Sequence, residues 1–150
     1  MELKRILMAE DDPRDLELTL NALGESKLAN QVAVVRDGED ALDYLYRRGT
    51  FSSRPRGNPV VVLLDLKMPK ISGVEVLRQM KSDEQFRMIP VVILTSSREQ
   101  PDLKECYQLG ANAYVVKPVD FQQFLSAVKE LGVFWAVINE PPPEARGNPD

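Results

Sequence analysis

Histidine is absent from this 150-residue chain, which removes histidine-based triads, histidine metal ligands and any phosphohistidine role. Cysteine occurs once, at Cys106, so no disulfide can form within the monomer. Its place beside Leu103 and Leu109 in a helical pattern predicts a buried thiol. No apolar run is long enough to span a bilayer, and Met1-Glu2-Leu3-Lys4 has no signal-peptide character, so the expected location is the cytoplasm. The net charge of −4 comes from interspersed signs, which argues against a nucleic-acid partner. Arg47, Arg48, Arg54 and Arg56 form a locally basic stretch that reads as a solvated loop. Carboxylate, hydroxyl and lysine chemistry remain, in a chain whose length and 43% hydrophobic content suit one domain with a sizeable core.

Strand and helix signals alternate along the chain. Ile6 to Ala9 reads as a buried strand, and Asp12-Pro13 offers an N-cap followed by proline at the first helical position. Leu16, Leu20 and Leu23 recur at helical spacing before a stop at Gly24. Gln31 to Val35 is a short β-branched strand, and Asp37-Gly38 leads into a helix carrying Ala41, Leu42 and Leu45. Arg47 to Pro59 has no usable periodicity and reads as a loop. Val60 to Leu64 is continuously apolar, as a central parallel strand covered on both faces should be. Turn residues 67–73 precede a helix with Val74, Leu77 and Met80. A strand over Val91 to Leu94 follows, then a helix from Pro101 with Leu103, Cys106, Tyr107 and Leu109, closed by Gly110. A fifth strand, Ala113 to Val116, and a fifth helix capped by Asp120 complete the series. Five βα units predict a mostly parallel sheet with helices on both faces, because right-handed crossovers leave few other topologies.

In such sheets the site lies beyond the carboxyl ends of the strands. Glu10 and Asp11 follow the first strand, Asp65 the third, Thr95 the fourth and Lys117 the fifth. Acids crowded at one edge repel one another unless a cation intervenes, which points to a hard divalent ion such as Mg²⁺. A carboxylate beside that ion can accept a phosphoryl group, and Asp65 is the natural acceptor. Glu10 and Asp11 would hold the metal, Lys117 would bring a compact positive charge, and Thr95 a hydroxyl hydrogen bond. Taken singly, Lys117 reads as a surface ammonium and Thr95 as the hydroxyl that ends a strand.

The stretches Ala9-Glu10-Asp11-Asp12, Leu64-Asp65-Leu66-Lys67-Met68-Pro69, Ser72-Gly73, Leu94-Thr95-Ser96 and Val116-Lys117-Pro118 resemble the receiver domains of two-component response regulators, over about residues 3 to 131. The resemblance implies a doubly wound, flavodoxin-like (βα)₅ sandwich with sheet order 2-1-3-4-5. It implies phosphorylation of Asp65 by a partner histidine kinase and Mg²⁺ held by Glu10, Asp11, Asp65 and the main-chain carbonyl of Lys67. It further implies that Lys117 contacts the phosphoryl group, that Lys117-Pro118 is cis, and that Thr95 and Tyr114 switch a surface on the fourth helix, fifth strand and fifth helix for a downstream protein. Read from its own neighbours, Tyr114 is equally an aromatic packed at the sheet edge. The family's usual acidic pair is two aspartates; here three acids run together, so Asp11 with Asp12 is a second possible register beside Glu10 with Asp11.

Past the receiver-like stretch, residues 132–150 read as an extension, apolar and helical to about 140 and then Pro-rich and disordered. Val133, Phe134 and Val137 fall off the helical stripe, so this segment needs a second surface, either a partner subunit or the domain's own sheet. Too few residues remain for a DNA-binding domain, which leaves protein contacts as the expected output. The basic loop and the ending 135–142 resemble single-domain regulators that pair with bacterial phytochrome kinases; that likeness implies light as input and a homodimer. Three other functions compete. A haloacid-dehalogenase-type phosphohydrolase needs a second acid two residues after its nucleophile, where this chain has Lys67. An unphosphorylated receiver-like binding module would not need the full acid, hydroxyl and lysine set, and a nucleotide-binding flavodoxin-like protein would need a Gly-rich phosphate loop.

Overall fold

The computed structural model describes residues 5–24, 32–96 and 101–131. Strands β1 (Ile6–Ala9), β2 (Val32–Val35), β3 (Val61–Asp65), β4 (Val91–Thr95) and β5 (Ala113–Val116) alternate with helices α1 (Pro13–Gly24), α2 (Gly38–Tyr46), α3 (Gly73–Ser82), α4 (Pro101–Leu109) and α5 (Phe121–Glu130). All strand pairings are parallel, in the order β2-β1-β3-β4-β5, as the resemblance implies. The order reverses between β1 and β3, which opens a crevice at their carboxyl ends.

Side-chain alternation builds two cores on one sheet. Leu7, Val62, Leu64 and Ile93 face a cluster completed by Leu42, Leu45, Leu77, Met80 and Cys106 from α2, α3 and α4. Ile6, Met8, Val61, Leu63 and Leu94 face the other side, with Leu23 of α1 and Phe124 and Val128 of α5. Buried on both faces, β1, β3 and β4 are almost wholly apolar, and truncating one such leucine to alanine costs about 2–5 kcal/mol. The Cys106 thiol is buried as expected, and that burial pushes its pKa up to about 11.

Three sequence expectations need correction. The third strand begins one residue later than Val60 and takes in Asp65, because the ladder to β4 pairs Asp65 with Leu94. The fourth likewise includes Thr95. The stretch from Arg47 to Pro59 holds a 3-10 turn at Gly49–Phe51, and Arg54 within it is half-buried. Its guanidinium donates to the carbonyls of Tyr44 (2.6 Å), Pro55 (2.8 Å), Gly57 (3.0 Å) and Leu45 (3.3 Å) and lies over the Tyr44 ring. One arginine thereby ties the open carbonyls at the end of α2 to the approach to β3. Gln31 and the extension over 132–150 lie outside the described residues.

Candidate functional site

Each candidate side chain is placed by a strand end or a helix start. Asp12, not its neighbours, caps α1: its Oδ1 accepts from the backbone N–H groups of Arg14 (2.8 Å) and Asp15 (3.1 Å), which lowers its pKa. Asp12 lies at the rim of the crevice, while Glu10 and Asp11 are the acids whose carboxylates approach that of Asp65. The cleft, about 390 Å³ in volume, is lined by both acids with Asp65, Lys67, Thr95 and Lys117. Glu10, Asp11 and Asp65 each bring a carboxylate oxygen to within 4.8 Å of the others. Three charged oxygens at that spacing suit a hard divalent cation, so this donor set fits Mg²⁺ or a similar ion.

Lys117 stands at the centre of the acids. Its Nζ lies 2.8 Å from Glu10 Oε1, 3.1 Å from Asp15 Oδ2 and 3.4 Å from Asp65 Oδ1. Glu10 is fully buried; Oε2 accepts from the Asp12 N–H at 3.2 Å, while Oε1 faces the Lys117 ammonium. Burial pushes the Glu10 carboxyl well above the usual carboxylate range, against the pull of Lys117 and with help from the Asp65 charge. Burial and the same Asp65 charge raise Asp11. For Lys117, burial disfavours the ammonium, but Glu10, Asp65 and Asp15 outweigh it and the pKa is raised. The site in this state carries more negative charge than its one lysine balances.

The loop between β3 and α3 is held tightly. A Cβ on Gly73 would sit 2.2 Å from the Asp65 carbonyl oxygen, and one on Gly38 would sit 1.9 Å from that of Ile71. Only glycine lets the first turns of α3 and α2 press against that loop, which carries Lys67. The Lys117 backbone N–H donates to the Thr95 carbonyl at 2.7 Å, fixing the two strand ends together, and Lys117-Pro118 is cis.

Of the residues named from the sequence, Glu10, Asp11, Asp65, Lys67, Thr95 and Lys117 meet in one cleft, and Tyr114 does not. Half-buried on β5, Tyr114 packs edge-on to Tyr107 of α4, 6.2 Å between ring centres, beside a shallow depression bounded by α5. Sequence reasoning missed Asp15, which reads simply as an acid favoured in the first turn of a helix. No local signal marks it out, because its partner Lys117 is 102 residues away in the chain.

A doubly wound parallel sheet with an acid and lysine cleft at its switch point defines a class of signalling domain. The sequence model of the response regulator receiver domain matches residues 6–129, and the chain belongs to that family, for which phosphorylation on an aspartate is implied. It is similar to the bacteriophytochrome response regulator RtBRR, whose solved structure is 63% identical with a TM-score of 0.83 over 95% of this chain and 86% of that one. The response regulator Rcp1 of Synechocystis sp. is 34% identical over 88% of both chains, and its Mn²⁺-bound form has been solved (TM-score 0.71, covering 89% of this chain and 94% of that one). The probable methanogenesis regulatory protein FilR2 of Methanothrix harundinacea is 38% identical over 91% of this chain and 86% of its own. No described helix is long and apolar enough to cross a membrane.

Proposed function

We propose that this protein accepts a phosphoryl group on Asp65 from a histidine kinase and thereby switches a protein-binding surface on α4, β5 and α5. One observation carries the reading: Asp65 closes β3 inside a cleft where Glu10 and Asp11 set carboxylate oxygens beside its own and Lys117 stands 3.4 Å away. An Asp65 oxygen attacks phosphorus, the P–N bond to the kinase's phosphohistidine breaks, and the imidazole leaves with a proton. Lys117 meets the charge on the transferred oxygens, and Thr95 offers its hydroxyl to one of them. Mg²⁺ held by Glu10, Asp11, Asp65 and the Lys67 carbonyl would neutralise the developing charge; the Mn²⁺ form of Rcp1 supports an ion of this kind. The chemistry is confined to the protein's own phosphorylation and dephosphorylation, and as the partner of a kinase it acts in the cytoplasm. Thr95 and Tyr114 carry the change outward from the ends of β4 and β5.

Identity to RtBRR supports a phytochrome as the kinase and light as the input. Residues 1–131 form the receiver and 132–150 an extension that helps α4, β5 and α5 build a homodimer. Intact-mass measurement with acetyl phosphate tests the core of the reading. The wild type gains one phosphate, with acetate leaving as the P–O bond breaks, and EDTA or Asp65→Asn abolishes the gain. A wild type that stays unlabelled, or an Asp65→Asn variant labelled as well as it, rejects the assignment. Light scattering tests the dimer: Phe134→Asp halves the mass, and an unchanged monomeric mass in both proteins rejects it.

A further inference from the structure

An ammonium has three N–H donors, and in this structure three carboxylates surround that of Lys117. A phosphoryl oxygen that recruits Lys117 must displace one of them. Glu10 cannot yield easily, being fully buried with its second oxygen engaged by the Asp12 N–H. Asp65 is the group that receives the phosphoryl. Asp15 differs from both: it sits in the first turn of α1 at the mouth of the cleft, its side chain is 32% exposed, and it can exchange Lys117 for water.

We propose that Asp15 is a positioning residue that competes with the phosphoryl group for Lys117 and so weakens the hold of the site on a phosphoryl-like anion. This rests on the reading of Asp65 as acceptor. In the unphosphorylated protein Asp15 parks the ammonium toward α1; when an anion sits on Asp65, Lys117 turns to it and Asp15 is released to solvent. The carboxylate also adds one more negative charge that an incoming anion must approach.

Beryllium fluoride, a mimic of the bound phosphoryl group, measures this as an equilibrium. With Mg²⁺ present, fluorine NMR titration gives its affinity for the wild type, Asp15→Asn, Asp15→Ala and Asp15→Glu. Loss of a partly exposed ion pair is expected to tighten binding by roughly two- to fivefold in the Asn and Ala variants, with Glu restoring the wild-type value. The gain should shrink as KCl is raised, which a purely structural role for Asp15 would not produce. Binding that is unchanged or weaker in both charge-removing variants, while the wild type binds the anion, overturns the role of Asp15 alone. A wild type that takes neither beryllium fluoride nor acetyl phosphate overturns the Asp65 reading and this one with it.

Discussion

Arg54 and Lys117 are both partly buried cations, set at opposite ends of the sheet's strands, and their partners differ in kind. Arg54 is met by neutral dipoles, four backbone carbonyls and an aromatic face. Every contact survives whatever happens to protein charge, and burial lowers its pKa without threatening its ionisation. Lys117 is met by Glu10, Asp15 and Asp65, three carboxylates that repel one another. The first arrangement is satisfied and static. The second is overloaded with negative charge, so a metal ion or an arriving anion changes it at once. A cation paired with dipoles holds a fold together; a cation oversubscribed by acids is ready to change partners.

Replacing each cation puts that contrast under strain. Lys117→Met should lower the rate of labelling by acetyl phosphate by about 10²–10³-fold, the usual cost of losing one donor to a developing oxyanion, with the fold retained by circular dichroism. Labelling at the wild-type rate would break the comparison at its functional side. Arg54→Ala should do the reverse: chemical denaturation should show a loss of about 2 kcal/mol, from charged hydrogen bonds to the carbonyls that end α2, while labelling is unchanged. A slower labelling rate in that variant would mean the two ends are coupled. The smallest effect concerns Cys106. Its folded pKa of about 11 lies above the ordinary 9.0, so the native state keeps the proton longer than the unfolded chain does. Stability is therefore full below pH 9.0 and declines as pH rises toward about 11. Native protein at pH 8 should resist iodoacetamide, and rapid alkylation there would contradict the burial.

Much of this was legible in the sequence because strand ends and helix caps are local signals. Asp12-Pro13 marks the start of α1, where Asp12 caps the helix, and Glu10 and Asp11 are the acids that approach Asp65. Asp65, Thr95 and Lys117 follow from the five strands, since parallel strands deliver their last residues to one edge. What stayed hidden depends on contacts far apart in the chain. Nothing local distinguishes Arg54 from Arg56, yet one reaches back to the end of α2 and the other is exposed. Asp15 and Lys117 are 102 residues apart, so neither announces the other. Gly38 and Gly73 look like ordinary helix-start glycines until the carbonyls opposite them are in view.

Those two glycines bear on where the chain tolerates change. Surface connections usually accept inserted residues, because a bulge there disturbs only water. The connection between Leu66 and Ser72 is gripped by α2 at Ile71 and by α3 at the Asp65 and Leu66 backbone, with no room for even one methyl group at either contact. Lengthening it by a single residue must lift one helix off the sheet or swing the carbonyl of Lys67 away from the acids. The connection is therefore bound by the same length constraint as a strand, and variation in this chain is expected to collect elsewhere.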